Sequence, residues 1–169
     1  EYFSARLVAE YLGGEFVDPA DHIVIRAGGT IDAGSYQSLG TRFERPDTLY
    51  VMAGFYGRDR AGQVKTFSRG GSDISGAIAA RAAGAVLYEN WTDTSGILMA
   101  DPRLVRNPLP IAEISFREIR EMAYMGASVF HDEAILPVRE AAIPIRIKNT
   151  NKPDDPGTLI TGKLSDNTI

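Results

Sequence analysis

Ser68-Arg-Gly-Gly-Ser-Asp73 is a polar, glycine-centred stretch between a strand candidate at Val64–Thr66 and an Ala-rich helical run at Ile74–Ala83. Adjacent glycines let a backbone approach its neighbours closely. The helix that follows offers unpaired N–H groups and the positive end of its dipole, which favour an anion. A strand entering such a loop and a helix leaving it point to an α/β fold. A plainer reading makes the loop a turn, with Asp73 as an N-cap and Arg69 as a surface cation. The planar fork of Arg69 suits a carboxylate or phosphate, and this favours the ligand-binding reading. The loop is not a P-loop, because the closing Gly-Lys-Ser/Thr is missing.

The rest of the chain fits the same class. Phe3, Leu7 and Tyr11, with Val8 and Leu12, recur at helical spacing before Gly13-Gly14. Short strands are expected at Glu15–Asp18 and Ile23–Arg26, a mostly loop stretch from Ala27 to Gly40, and a strand at Leu49–Ala53. One antiparallel hairpin is expected within Leu49–Thr66, turned by Arg60-Ala-Gly-Gln63. The Ile74–Ala83 helix should stop at Gly84, and Val86–Trp91 should be a strand. Ser115 and Glu118 have capping-box spacing ahead of a helix stopped by Gly126. A helix over about Glu133–Ala142 carries Pro137, as a kink or in its first turn. Ile143–Ile147 and Thr158–Ile160 complete the strands, around a turn at Asn149–Gly157. Together these predict a three-layer αβα sandwich with a mainly parallel sheet.

Composition removes several function classes. With 169 residues the chain has the length of about one domain. Its 22 acidic and 18 basic residues give a net charge of −4, which argues against a nucleic-acid footprint or a polybasic membrane surface. No cysteine is present, so disulfides, Cys-ligated zinc and thiol catalysis are excluded from this chain, and a reducing, cytoplasmic compartment is expected. No apolar run approaches the roughly 18 residues of a membrane span. The chain opens on Glu1 in what reads as a helix, with neither initiator Met nor signal peptide, so a piece of a larger protein is expected.

A second polar cluster, Trp91-Thr-Asp-Thr-Ser-Gly96 running on to Ala100-Asp-Pro-Arg103, follows a strand end, where α/β sheets place ligands. Thr92, Asp93 and Ser95 are suited to a ribose or base, and Arg103 to phosphates. An ordinary turn is the plainer alternative, with Trp91 in the core. His22 and His131 are isolated from any acidic ligand set, and no Gly-x-Ser-x-Gly occurs. Arg117–Glu121 reads as a solvated helix face with i,i+4 pairing. Asn149–Asp155 reads as a surface turn, and Met122, Tyr124 and Met125 as core.

On these residues the chain resembles the aspartate kinases of the amino-acid kinase family. The matching blocks are Phe67-Ser-Arg-Gly-Gly-Ser-Asp73, Trp91-Thr-Asp93, Gly96 with Ala100-Asp-Pro-Arg103, Glu113-Ile-Ser115, Met125-Gly-Ala127, Ile143-Pro-Ile145 and Gly157-Thr-Leu-Ile160. They cover nearly the whole chain in the family's order. Leu98 stands where a tyrosine is common, and Ser128 where a lysine is.

The resemblance implies the later part of a catalytic domain over 1–161, with 162–169 leading toward a regulatory ACT region outside the chain. Its Lys-Phe-Gly-Gly-Thr-Ser strand and loop do not occur here, so the chain alone is expected to be inactive. It also implies a carbamate kinase-like fold and ATP-dependent phosphorylation of L-aspartate, the first step toward lysine, threonine and methionine. The substrate-binding residues would be Glu1, Phe55, Arg69, Ser72 and Asp73, and the nucleotide-binding residues Thr92, Asp93 and Arg103. Mg2+ would be bound through the ATP phosphates, and a homo-oligomer is expected. Two other readings stay open: a non-catalytic ligand-binding or assembly module, and an amino-acid kinase for a different carboxylate.

Overall fold

A computed structural model describes residues 1–68, 70–101, 103–125 and 132–162. The chain divides into two compact units, Glu1–Ala85 and Val86–Ile169.

In the first unit, α1 (Tyr2–Leu12) ends at Gly13, whose φ of 65° is the left-handed turn that glycine takes without strain. The chain then turns back into β1 (Glu15–Val17). Asp18 caps the short α2 (Pro19–His22) by accepting the Ala20 N–H at 2.9 Å, with Pro19 at its first position. Ile23–Arg26 is not a full strand. Only Val24 and Ile25 make bridges, to Arg58 and Ile31.

The stretch expected as loop contains a helix, α3 (Gly34–Arg42). Its glycines mislead because one of them serves packing. A Cβ on Gly40 would stand 3.1 Å from the Ala82 carbonyl, so its absence lets α3 lie close to α4 (Gly71–Ala82). Leu39 and Ser35 are buried, and the Ser35 hydroxyl accepts the Val24 N–H at 2.9 Å.

β2 (Tyr50–Met52) pairs parallel with β1, in the register Glu15–Tyr50 to Val17–Met52. The antiparallel hairpin is instead made by β3 (Tyr56–Arg58) and β4 (Val64–Thr66). Asp59 forms its turn by accepting the N–H groups of Ala61 and Gln63. The Leu49–Ala53 strand therefore belongs to a different sheet from Val64–Thr66, which corrects the expected hairpin. α4 begins earlier than Ile74 and buries Ile74, Ala77 and Ile78 on one face.

The second unit is built on one sheet of β5 (Tyr88–Thr92), β7 (Ile145–Asn149), β8 (Thr158–Thr161) and β6 (Glu113–Ser115), in that order. β5–β7 and β6–β8 are parallel, whereas β7–β8 is a second antiparallel pair that the sequence reading lacked. β7 alternates strictly: Ile145, Ile147 and Asn149 point inward, Arg146 and Lys148 outward.

α5 (Phe116–Tyr124) starts at the full Ser115–Glu118 capping box and carries the expected Arg117–Glu121 pair at 3.0 Å. Its stop at Gly126 lies outside the described residues, as do Ala127, Ser128 and His131. In α6 (Asp132–Glu140), Pro137 sits in the interior rather than the first turn. Ala134, Ile135 and Val138 of this helix are buried.

Three expected core assignments are corrected. Trp91 is 45% exposed beneath the Lys148 ammonium, and Tyr124 and Met125 are 83% and 90% exposed. The apolar face of α1 is also open, since Ala9 is its only buried residue. No helix among the described residues is long and apolar enough to cross a membrane.

Candidate functional site

The N-terminus of α4 is held by an interlocked backbone. Gly70 takes a φ of 62° as its N-cap. Phe55, leaving β2, takes a φ of 79°, a conformation that costs a bulky L residue on the order of 1–3 kcal/mol. Two contacts hold it there. The Phe55 N–H donates to the Ser75 hydroxyl at 3.0 Å, and that hydroxyl donates to the Gly71 carbonyl at 2.8 Å. The Phe55 ring also fills the space a side chain on Gly71 would need, its Cδ2 lying 2.7 Å from where a Cβ would stand. A Cβ on Gly54 would likewise crowd Ser72, at 3.2–3.3 Å.

Phe55, Ser72 and Asp73 therefore come together at one helix N-terminus. Ser72 is exposed and Asp73 half-buried, while Arg69 lies outside the described residues. A helix N-terminus, an exposed hydroxyl and an aromatic wall suit a small carboxylate ligand.

Glu1 is exposed and makes no hydrogen bond capping its own helix. α1 packs back on β1 and β2, and the Tyr2 ring meets Phe16 edge-on at 5.1 Å. Next to Phe55, the Tyr56 hydroxyl donates to Asp18 at 2.9 Å. Burial first, and the Asp18 carboxylate second, push this phenol well above its ordinary value. His22 Nδ1 lies 2.9 Å from the Ser38 hydroxyl, and burial lowers its pKa.

In the second unit, the polar cluster follows the C-terminal end of β5. Thr92 is half-buried, with its carbonyl taken by the Thr150 N–H at 2.8 Å and the Thr150 hydroxyl at 3.0 Å. Its own hydroxyl donates to the exposed Asp93 at 3.2 Å. Arg103 is drawn back onto its own loop. Its Nε donates to both Asp101 oxygens at 3.0 Å, and an Nη reaches Oδ2 at 2.6 Å. These bonds and the Arg103 backbone N–H hold the Asp101 carboxyl down at about 2. Pro102, between them, lies outside the described residues. Among the described residues, no three acidic or histidine side chains gather as a metal cage.

Four side chains tie this loop down. Ser95, read as a possible ligand contact, instead donates to Asp155 at 2.5 Å and accepts from the Asn149 amide at 2.9 Å. Asn149 is buried, which corrects its reading as surface turn. Buried Thr158 accepts the Ile97 N–H at 2.8 Å and donates to the Ile111 carbonyl at 2.6 Å. The signal for Asn149 was its inward phase on an otherwise apolar strand face. Ser75 gave a similar one, as a hydroxyl next to Ile74 on the buried face of α4.

Comparison with known proteins agrees with this layout. The model of the amino acid kinase family matches residues 1–149, spanning both units. The chain is 44% identical to aspartokinase 3 of Bacillus subtilis over 98% of its own length and 38% of that protein's. A solved aspartate kinase from Clostridium acetobutylicum superposes with a TM-score of 0.88 at 52% identity, covering 95% of this chain and 37% of that one. Aspartokinase III of E. coli, solved with aspartate and ADP, gives 0.85 at 30% identity, over 96% of this chain and 39% of that one. The chain thus spans under two fifths of the length of these relatives. The α/β class, the glycine loop opening α4 and the strand-end cluster after β5 all belong to one lineage: the chain is a member of the amino acid kinase family.

Proposed function

We propose that the complete polypeptide is an aspartate kinase, transferring the γ-phosphoryl group of ATP to L-aspartate to give 4-phospho-L-aspartate and ADP. The observation that carries this reading is the 44% identity to a B. subtilis aspartokinase over 98% of the chain. The braced N-terminus of α4 supports it, because the positive end of a helix dipole suits the carboxylates of a small amino acid. This reading assigns residues 1–161 to the later part of the catalytic domain. Turnover belongs to the complete enzyme, not to this chain alone.

The attacking β-carboxylate has an ordinary pKa of about 3.9, so it is ionised at neutral pH and needs no general base. Catalysis is then positioning and charge neutralisation. Arg69 forks the α-carboxylate, Asp73 and Glu1 face the ammonium, Ser72 hydrogen-bonds the substrate and Phe55 walls it. Thr92 and Asp93 hold the nucleoside. Arg103 meets the phosphates by exchanging its Asp101 partner for a phosphate oxygen, a like-for-like swap of charged acceptors.

Magnesium would enter as an ion carried by the ATP phosphates, since Mg2+ keeps most of its waters and needs few protein ligands. It would neutralise charge on the transferred group. The reading carries with it a homo-oligomeric, cytoplasmic enzyme at the head of lysine, threonine and methionine synthesis, where aspartate and ATP are both at hand.

The test separates the two arginines in the complete enzyme. Arg69→Lys keeps the charge and loses the fork, so kcat/KM for aspartate should fall about ten- to hundredfold, with KM for ATP unmoved. Arg103→Lys should raise KM for ATP and spare aspartate. Steady-state kinetics with each substrate varied in turn would reject the assignment if Arg69→Lys weakened ATP alone.

A further inference from the structure

We propose that Asn149, Ser95 and Asp155 form a latch that holds the loop after β5 in its nucleotide-binding shape, making Asn149 and Ser95 positioning residues for ATP. The proposal rests on the reading that Thr92, Asp93 and Arg103 take the nucleotide.

Chemistry alone makes Ser95 a candidate ligand contact. Its hydroxyl, however, is engaged on both sides, donating to Asp155 and accepting from Asn149. It has one proton to give, and that proton is spent within the protein.

Asn149 is the anchor. It sits at the inward phase of β7, 6% exposed, and its side-chain oxygen also accepts the Asn151 N–H at 2.9 Å. One buried amide thus fixes the β7–β8 turn with its oxygen and the β5–β6 loop with its nitrogen. Next to it, the paired backbone of Thr92 and Thr150 continues the β5–β7 ladder.

The two connections also meet through glycines. Gly96 has a φ of 90° and Gly157 a φ of 70°, and neither has room for a Cβ. A Cβ on Gly96 would run into Thr158, and one on Gly157 into the Ile147 carbonyl. The loop carrying Asp93 and Arg103 is therefore seated on the β7–β8 turn by close approach and by directed hydrogen bonds. A hydrogen-bond network anchored on a buried amide rigidifies what it joins.

Ser95→Ala leaves the buried Asn149 amide and the Asp155 carboxylate without their shared partner. In the complete enzyme it should raise KM for ATP about tenfold and leave KM for aspartate unchanged. Ser95→Thr keeps a hydroxyl and should restore ATP affinity. Asp155→Ala, at the half-buried outer side of the latch, should act in the same direction as Ser95→Ala, and serves as the readout if that variant fails to fold. Amide hydrogen exchange over residues 93–101 should quicken in the variants that lose ATP affinity.

Equal rises in both KM values, or unchanged KM for ATP in Ser95→Ala and Asp155→Ala, would overturn the latch. Asp93→Asn and Arg103→Lys, run beside them, separate the two levels. If those weaken ATP while the latch variants do not, only the latch fails. If none of the four affects ATP, the nucleotide reading fails and the latch falls with it.

Discussion

The start of α4 and the loop after β5 are the two ends of secondary structure proposed to take ligands, yet they are held by different means. At α4 the restraint is mostly steric. Gly54 and Gly71 allow close approach, Phe55 is wedged at a φ of 79°, and the Ser75 hydroxyl hydrogen-bonds both segments. After β5 the restraint is mostly polar, since Asn149, Ser95, Asp155 and Thr158 each contribute side-chain hydrogen bonds. A steric brace fixes where the positive end of the helix dipole points. A polar latch holds a longer loop, whose shape no regular hydrogen-bond ladder defines. Each proposed ligand surface is therefore as firm as the handful of residues that brace it.

The largest effect should come from the one place where the polar region relies on sterics. Gly157→Ala puts a Cβ onto the Ile147 carbonyl and forces a left-handed backbone on alanine. The expected loss is on the order of 3 kcal/mol or more, read by chemical denaturation. A melting curve like that of the parent would show that the β7–β8 turn has slack, and the contrast would weaken.

A smaller effect is expected where the steric region relies on a hydrogen bond. Ser75→Ala leaves the Phe55 N–H without its acceptor, at about 1–3 kcal/mol. In the complete enzyme, KM for aspartate should rise and KM for ATP should not. If Ser75→Ala proved costlier than Gly157→Ala, the division into steric and polar restraint would be wrong.

The smallest effect concerns the exposed pair. Arg103→Ala should let the Asp101 carboxyl rise from about 2 toward about 3.9, seen by NMR titration, with no change in melting temperature at neutral pH. The folded-state value lies below the unfolded one. Whatever the pair contributes is thus complete above about pH 4 and is lost as pH falls through about 2. A melting temperature that dropped at pH 7 would mean that Asp101 also supports the loop.

Much of this was legible in the residues, and the failures share a cause. The capping box, the Arg117–Glu121 pair, the turn before Val64 and the helix after Gly70-Gly71 all depend on neighbours in sequence, and local chemistry suffices for them. α3 was hidden because Gly40 is explained by Ala82, a residue distant in sequence. The hairpin was misassigned because β2 finds its partner in β1, which no turn connects to it. Trp91, Tyr124 and Met125 were placed in the core on residue type, whereas burial depends on which face the fold covers. At the candidate site, the resemblance implies one substrate group of Glu1, Phe55, Arg69, Ser72 and Asp73, and Phe55, Ser72 and Asp73 lie at one helix N-terminus. The residues that hold them were missed, because a lone Ser75 or Asn149 signals only when its strand or helix phase is known.

The Asp101–Arg103 pair also bears on how an anion would approach the loop. With its carboxylate partner 2.6 Å away, the guanidinium is seen from a distance as a dipole, not as a net positive charge. Its field fades faster than that of a bare cation, so little long-range attraction draws a phosphate toward it. Encounter rates at this surface should therefore respond weakly to ionic strength. The cation is felt only after a ligand has arrived, and capture there depends on fit at close range.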